Sequence, residues 1–180
     1  MDGALRRRPL KAGSYTYRYI SLRLLTAVAA GRLHADGVEQ LQDVPPLDIV
    51  LAEDDPDIAF MHQRVLESDG HHVEVVRDGA GTIDAVREHD PDLLVLDMHM
   101  PNGDGFAVLE DLRANEKTTD QPVVVLSNSD LSEHEHHRLR RLGVIEFLAK
   151  WKVHPRALAD WIKRWAAIHK PRRPRPRPGT

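Results

Sequence analysis

Leu93-Leu94-Val95-Leu96-Asp97-Met98-His99-Met100-Pro101-Asn102-Gly103-Asp104-Gly105 is the stretch that decides the fold. Its four consecutive aliphatic residues read as a strand buried on both faces, and the run stops on a carboxylate. The same pattern recurs on either side of it. Leu47–Ala52 stops on Glu53-Asp54-Asp55, Val123–Leu126 stops on Ser127, and Val144–Ala149 stops on Lys150. In an open α/β sheet, ligands gather at the carboxyl edge of the strands, near the point where strand order reverses. The chain therefore places carboxylates, a hydroxyl and an ammonium along one edge, a set suited to a divalent cation and a phosphoryl group.

Between these runs lie helical segments. Residues 56–69 open on Pro56 and close on Gly70, the usual asymmetry of a helix start and stop. Val73–Val76 is a short strand, and helices follow over about 80–88, 106–115, 132–142 and 155–168. On the last of these, Leu158, Trp161, Ile162, Trp165 and Ile168 recur at helical spacing and predict one apolar face. Five strand–helix alternations imply a parallel sheet covered on both sides, with right-handed crossovers.

Composition narrows the function. The chain has 180 residues, and its apolar fraction of 41% with 29% charged residues is that of a soluble globular protein. With no cysteine, disulfides, thiolate catalysis and thiolate-bound zinc are excluded. The formal charge of -3 conceals an asymmetry: residues 46–169 carry a net -11 between two basic ends. No run is long and apolar enough for a membrane span. Arg6-Arg7-Arg8 before an apolar stretch resembles an export signal, but Arg23 interrupts that stretch and Gly31–Ala35 makes a poor cleavage region.

Three segments follow. Residues 1–45 form an extension with an alternating Tyr15-Thr16-Tyr17-Arg18-Tyr19 pattern and amphipathic spacing from Ile20 to Leu41. It reads more readily as a loosely ordered leader than as a docking or dimerising helix, and Pro45-Pro46 closes it. Residues 46–169 form the α/β domain. Residues 170–180, rich in Pro and Arg, read as an extended solvated tail that could touch nucleic acid only weakly.

Four motifs in this order and spacing resemble the receiver domain of bacterial two-component response regulators. They are Ile49–Asp55, Leu94–Gly105, Pro122–Ser127 and Gly143–Lys150. The resemblance implies a flavodoxin-like, doubly wound α/β fold: a five-stranded parallel sheet of order 2-1-3-4-5 with five helices in three layers. It implies that Asp97 is the phosphoacceptor, that Glu53, Asp54, Asp97 and the backbone carbonyl of His99 hold Mg²⁺ (or Mn²⁺), and that Lys150 pairs with the acceptor and then with the phosphoryl oxygens. Ser127 would donate its hydroxyl to the phosphoryl group, and Phe147 would occupy the aromatic switch position. His99, Asn128 and Ser129 fall where side chains tune the rates. Asp55 reads as a helix-start residue rather than a ligand.

The sequence departs from the family pattern at three places. Asn128 replaces the usual small residue after the Ser/Thr, and Trp151 replaces the proline after the lysine, which makes a cis peptide there improbable. Trp151 also reads as a partner-facing anchor. His99 stands two residues after the acceptor, where it can gate the hydrolytic water. His134, His136 and His137 suggest a metal site, but a solvated helix face is the better reading.

The resemblance implies a cytoplasmic, stand-alone phosphorylation switch that catalyses only its own phosphorylation and dephosphorylation. It would signal through the face built by the fourth helix, fifth strand and last helix. Expected partners are a sensor histidine kinase or histidine phosphotransfer protein, a downstream protein target and a second copy of the chain in a homodimer. Two other readings compete: a receiver-like interaction module that is never phosphorylated, and a Mg²⁺-dependent phosphohydrolase. Against the last, His99 stands where a second catalytic acid is needed.

Overall fold

The computed structural model describes residues 44–101, 103–128 and 131–169. The expected extension over 1–43, the tail at 170–180 and Ser129 lie outside the described residues. Strand β1 (Asp48–Ala52) leads to helix α1 (Pro56–Ser68), β2 (His72–Val76) to α2 (Gly79–His89), and β3 (Leu93–Asp97) to α3 (Gly105–Ala114). Then come β4 (Val123–Ser127), α4 (Glu133–Arg141), β5 (Glu146–Ala149) and α5 (Pro155–Ile168).

The five strands form one parallel sheet of order β2-β1-β3-β4-β5, as expected. The reversal falls between β1 and β3, whose carboxyl ends carry Glu53 and Asp97. Alternation of side chains sends Ile49, Leu51, Val95, Val124 and Leu126 toward α1 and α5. Val50, Ala52, Leu94, Leu96, Val123 and Val125 face α2, α3 and α4 on the other side. The aliphatic runs are continuous because both faces are covered.

Local chemistry sets the helix ends. Asp55 caps α1 by accepting from the Asp57 and Ile58 amides at 2.9 and 3.0 Å, so its helix-start reading holds. Asp78 caps α2 through the Gly81 amide. Ser132 and Glu135 form a reciprocal capping box on α4. Asp90, at φ 43°, ends α2 in the left-handed region, which aspartate tolerates better than most residues.

Four details differ from the sequence reading. Strand β5 covers Glu146–Ala149, where the sequence predicts a strand over Val144–Lys150, and Lys150 opens a 3₁₀ turn, Lys150–Lys152. Strand β2 begins one residue early, at His72. A two-residue hairpin, His99–Met100 against Gly103–Asp104, follows β3 and is too short for any periodic signal. Ile168 is 68% exposed. The apolar stripe of α5 outruns the sheet it covers, and only Leu158, Trp161, Ile162 and Trp165 of the five are buried.

Candidate phosphoryl and cation site

Parallel pairing of the buried strands β1 and β3 brings their two strand ends side by side at the carboxyl edge. Glu53 leaves β1 with its amide donating to the Val76 carbonyl at 2.9 Å. Asp97 ends β3, and the next amide, that of Met98, donates to the Leu126 carbonyl at 3.2 Å. These bonds fix both carboxylates before any side-chain contact is counted. Carboxylate oxygens of Glu53, Asp54 and Asp97 all lie within 4.8 Å of one another.

Lys150 ties the group together. Its Nζ lies 2.7 Å from Asp97 Oδ2 and 2.5 Å from Glu53 Oε2. Ending β5 one residue early lets the 3₁₀ turn aim this side chain inward rather than along the strand. Asp97 Oδ1 accepts the backbone N–H of His99 at 3.1 Å, so each acceptor oxygen has one donor. Glu53 is 1% exposed, and burial pushes its carboxyl above the ordinary value while the Lys150 ammonium opposes that shift.

Glu53 Oε1 is buried and has no hydrogen-bond partner among the described residues. An anionic oxygen left so is costly unless a cation or its hydration shell reaches it. Three carboxylates served by one ammonium also leave excess negative charge. An all-oxygen donor set with room for water suits a small hard dication, so the residues present fit Mg²⁺.

The other predicted residues fall around this centre. Ser127 ends β4, fully buried, in register with Ala149. Phe147 lies half-buried on β5, with the His136 ring T-shaped against it at 5.0 Å. The side chains of His99 and Asn128 are exposed. Trp151 is 61% exposed, with the Lys152 ammonium 4.1 Å over its ring, and no described peptide bond is cis. His134 and His137 are exposed, as a solvated face requires, whereas His136 is not simply solvated. A cleft of about 440 Å³ opens beside His99, lined also by Met98, Met100, Phe106 and Leu131.

Sequence reasoning missed two residues here and misread a third. Gly105 has no room for a side chain, because a Cβ would stand 2.8 Å from Met98 Cα and Sδ and 3.2 Å from the Asp97 carbonyl oxygen. His62 of α1 is buried close enough to Lys150 to feel its charge. His136 was named but read with its neighbours as solvated; it lies one turn before Leu139, the buried residue of α4, and its contact with Phe147 went unread.

A parallel sheet whose carboxyl edge holds an acidic cluster, a hydroxyl and a bridging ammonium defines a class: phosphoacceptor signalling domains. The chain belongs to the response regulator receiver domain family, whose model matches residues 49–163. It is 32% identical over 123 residues to the response regulator MprA of Mycobacterium sp. (strain KMS), covering 68% of this chain and 50% of that protein. The chain thus spans about half the length of the curated relatives it matches.

Among solved structures, the BeF3-activated N-terminal receiver domain of Klebsiella pneumoniae RstA is 27% identical, with a TM-score of 0.57. That match covers 64% of this chain and 95% of RstA's. The receiver domain of sensor histidine kinase PA1611 from Pseudomonas aeruginosa PAO1 is 25% identical, with a TM-score of 0.59, covering 67% and 98%. It was solved with a magnesium ion coordinated in its active site cleft. No described helix is long and apolar enough to cross a membrane.

Proposed function

We propose that this protein is a phosphorylation-controlled switch in which Asp97 accepts a phosphoryl group from a phosphohistidine donor, a sensor kinase or histidine phosphotransfer protein. The observation that carries the reading is the ammonium of Lys150 held between Asp97 Oδ2 and Glu53 Oε2 beside a third carboxylate. A carboxylate oxygen of Asp97 attacks phosphorus, the P–N bond breaks, and the donor imidazole leaves with the electron pair. Little acid–base machinery is needed; in-line positioning and charge neutralisation dominate.

Glu53, Asp54, Asp97 and the His99 carbonyl would hold Mg²⁺, which when bound supplies charge neutralisation at the phosphoryl oxygens. Lys150 pairs with the acceptor before transfer and with a phosphoryl oxygen after it. Ser127 donates its hydroxyl to another phosphoryl oxygen, and Phe147 follows it inward. His99, Asn128 and Ser129 set how fast water reaches the phosphoaspartate. The switched surface comprises α4, β5 and α5, where a target protein or second copy would dock. Residues 46–169 form the switching unit, flanked by an extension and a basic tail, in a cytoplasmic protein.

The test is covalent. Incubation with Mg²⁺ and acetyl phosphate or phosphoramidate should add one phosphoryl group by intact mass, labile to hydroxylamine and absent from Asp97→Asn. No adduct with any donor would favour an interaction module instead. Multiple turnovers of varied phosphomonoesters would favour a hydrolase.

A further inference from the structure

Helix α4 is held in an uncommon way. Its sequence is Glu-His-Glu-His-His-Arg-Leu-Arg-Arg, and Leu139 is the one buried residue of the nine. The other four helices each bury three to six. Apolar packing therefore contributes little to its docking, and polar or aromatic contacts must supply the remainder. One such contact is Arg138, whose guanidinium lies 4.2 Å above the Phe106 ring and 2.6 Å from Glu110 of α3. A second is the Arg113 guanidinium of α3, which donates to the carbonyl of Leu142 at the end of α4 at 2.7 Å, and a third is His136 against Phe147, ring centroids 5.0 Å apart and planes at 89°.

The third contact joins α4 to the phosphoryl site. Phe147 and Ala149 share a face of β5, and Ala149 lies directly opposite Ser127 in the sheet register. Phe147 itself lies opposite Val125, so Ser127 stands diagonally across from it on the same face, beside Ala149. The ring is half-buried, packed at the margin of the core and edge-on to His136; turned inward over Ala149 it would approach Ser127.

We propose that His136 is a latch that holds Phe147 in its outward position and so sets the fraction of molecules ready for phosphorylation. The proposal rests on the phosphoacceptor reading of Asp97 and adds to it a residue outside the matched motifs. A phosphoryl group that engages Ser127 favours the inward ring, and inward rotation breaks the His136 contact. That loss removes one of the few side-chain ties on a helix with a single buried residue, so the change at the strand end reaches the surface of α4. His136 is a positioning residue, acting on the site only through Phe147.

The chain has three phenylalanines, so ring-¹³C phenylalanine labelling of the full chain gives three signals, assigned for this residue with Phe147→Leu. Spectra would be compared for wild type, His136→Ala and His136→Phe, each with and without Mg²⁺ and beryllofluoride. Without the analogue, His136→Ala should move the Phe147 signal toward the position that beryllofluoride produces in wild type, and His136→Phe should restore it. Half-saturating beryllofluoride should fall between about twofold and tenfold in His136→Ala, the range of an edge-to-face ring contact.

A Phe147 signal that stays put in analogue-free His136→Ala overturns the latch. So does a shift that His136→Phe fails to reverse, since that marks general loosening of α4. A wild-type chain that takes up no beryllofluoride sinks the phosphoacceptor reading and the latch that rests on it, whereas uptake with an unmoved Phe147 signal in His136→Ala sinks the latch alone.

Discussion

Single residues around Asp97 differ in how much freedom the fold leaves them. Gly105 has almost none: a methyl there meets the Met98 backbone and the Asp97 carbonyl, neither of which is the far end of a flexible chain. Gly105→Ala should therefore cost about 1–3 kcal/mol in urea unfolding, the usual toll of overpacking, and slow acetyl phosphate labelling further than the stability loss explains. His62 carries a different constraint. It is 5% exposed, and burial, with the Lys150 and His154 charges adding to it, lowers its pKa from 6.5 to about 4. The unfolded chain then binds more protons than the native one between those values, so stability falls as pH drops from about 6.5 toward 4. Over that window the shift corresponds to roughly 3 kcal/mol. Urea midpoints of wild type and His62→Leu at pH 7.5 and 5.0 test this; the variant should lose distinctly less on acidification. Equal losses would show that His62 is already free to protonate. Nothing in the sequence marked His62, because a histidine at a core-facing helical position looks polar to any apolar periodicity.

At the scale of elements, what the sequence revealed follows from how strongly each segment is buried. The runs ending on Glu53, Asp97 and Ser127 were legible because a strand covered on both faces tolerates only aliphatic residues; the edge strand before Lys150, with Glu146 and Phe147 half-buried, carries a weaker signal. The hairpin at His99–Asp104 and the turn at Lys150–Lys152 were not legible, since two or three residues carry no period. Helix α4 was found at nearly its true bounds, but its apolar periodicity is too weak to say which side faces inward. Its stability should be correspondingly local. In hydrogen exchange α4 should open more readily than α1, α2, α3 or α5. Leu139→Ala, which removes its 3%-exposed anchor, should abolish α4 protection while lowering the unfolding free energy from urea titration by less than the ~2–5 kcal/mol typical of such truncations. A full-sized global loss would place α4 in the cooperative core. Ser132→Ala removes half of the capping box and should cost about 1 kcal/mol of helix stability, read from the same α4 amides.

At the scale of the whole molecule, charge is the organising fact. Residues 46–169 carry a net -11, and the site packs three carboxylates around the single ammonium of Lys150. The chain places this repulsion where a dication would relieve it, and folding and cation binding should therefore be linked. Mg²⁺ that binds the native chain and not the unfolded one stabilises by RT ln(1 + [Mg²⁺]/Kd), about 1.4 kcal/mol at tenfold the dissociation constant. Urea titrations with increasing MgCl₂, at ionic strength held constant with NaCl, should show that rise in wild type. Asp54→Asn should flatten it, because it removes a carboxylate that makes no ion pair with Lys150. Lys150→Met should do the opposite: the chain loses stability without Mg²⁺, since two buried carboxylates lose their cation, and regains a larger share as Mg²⁺ is added. A wild-type midpoint indifferent to Mg²⁺ would mean that Lys150 alone balances the cluster. The unpartnered Glu53 Oε1 would then be a structural cost with no ligand to meet it.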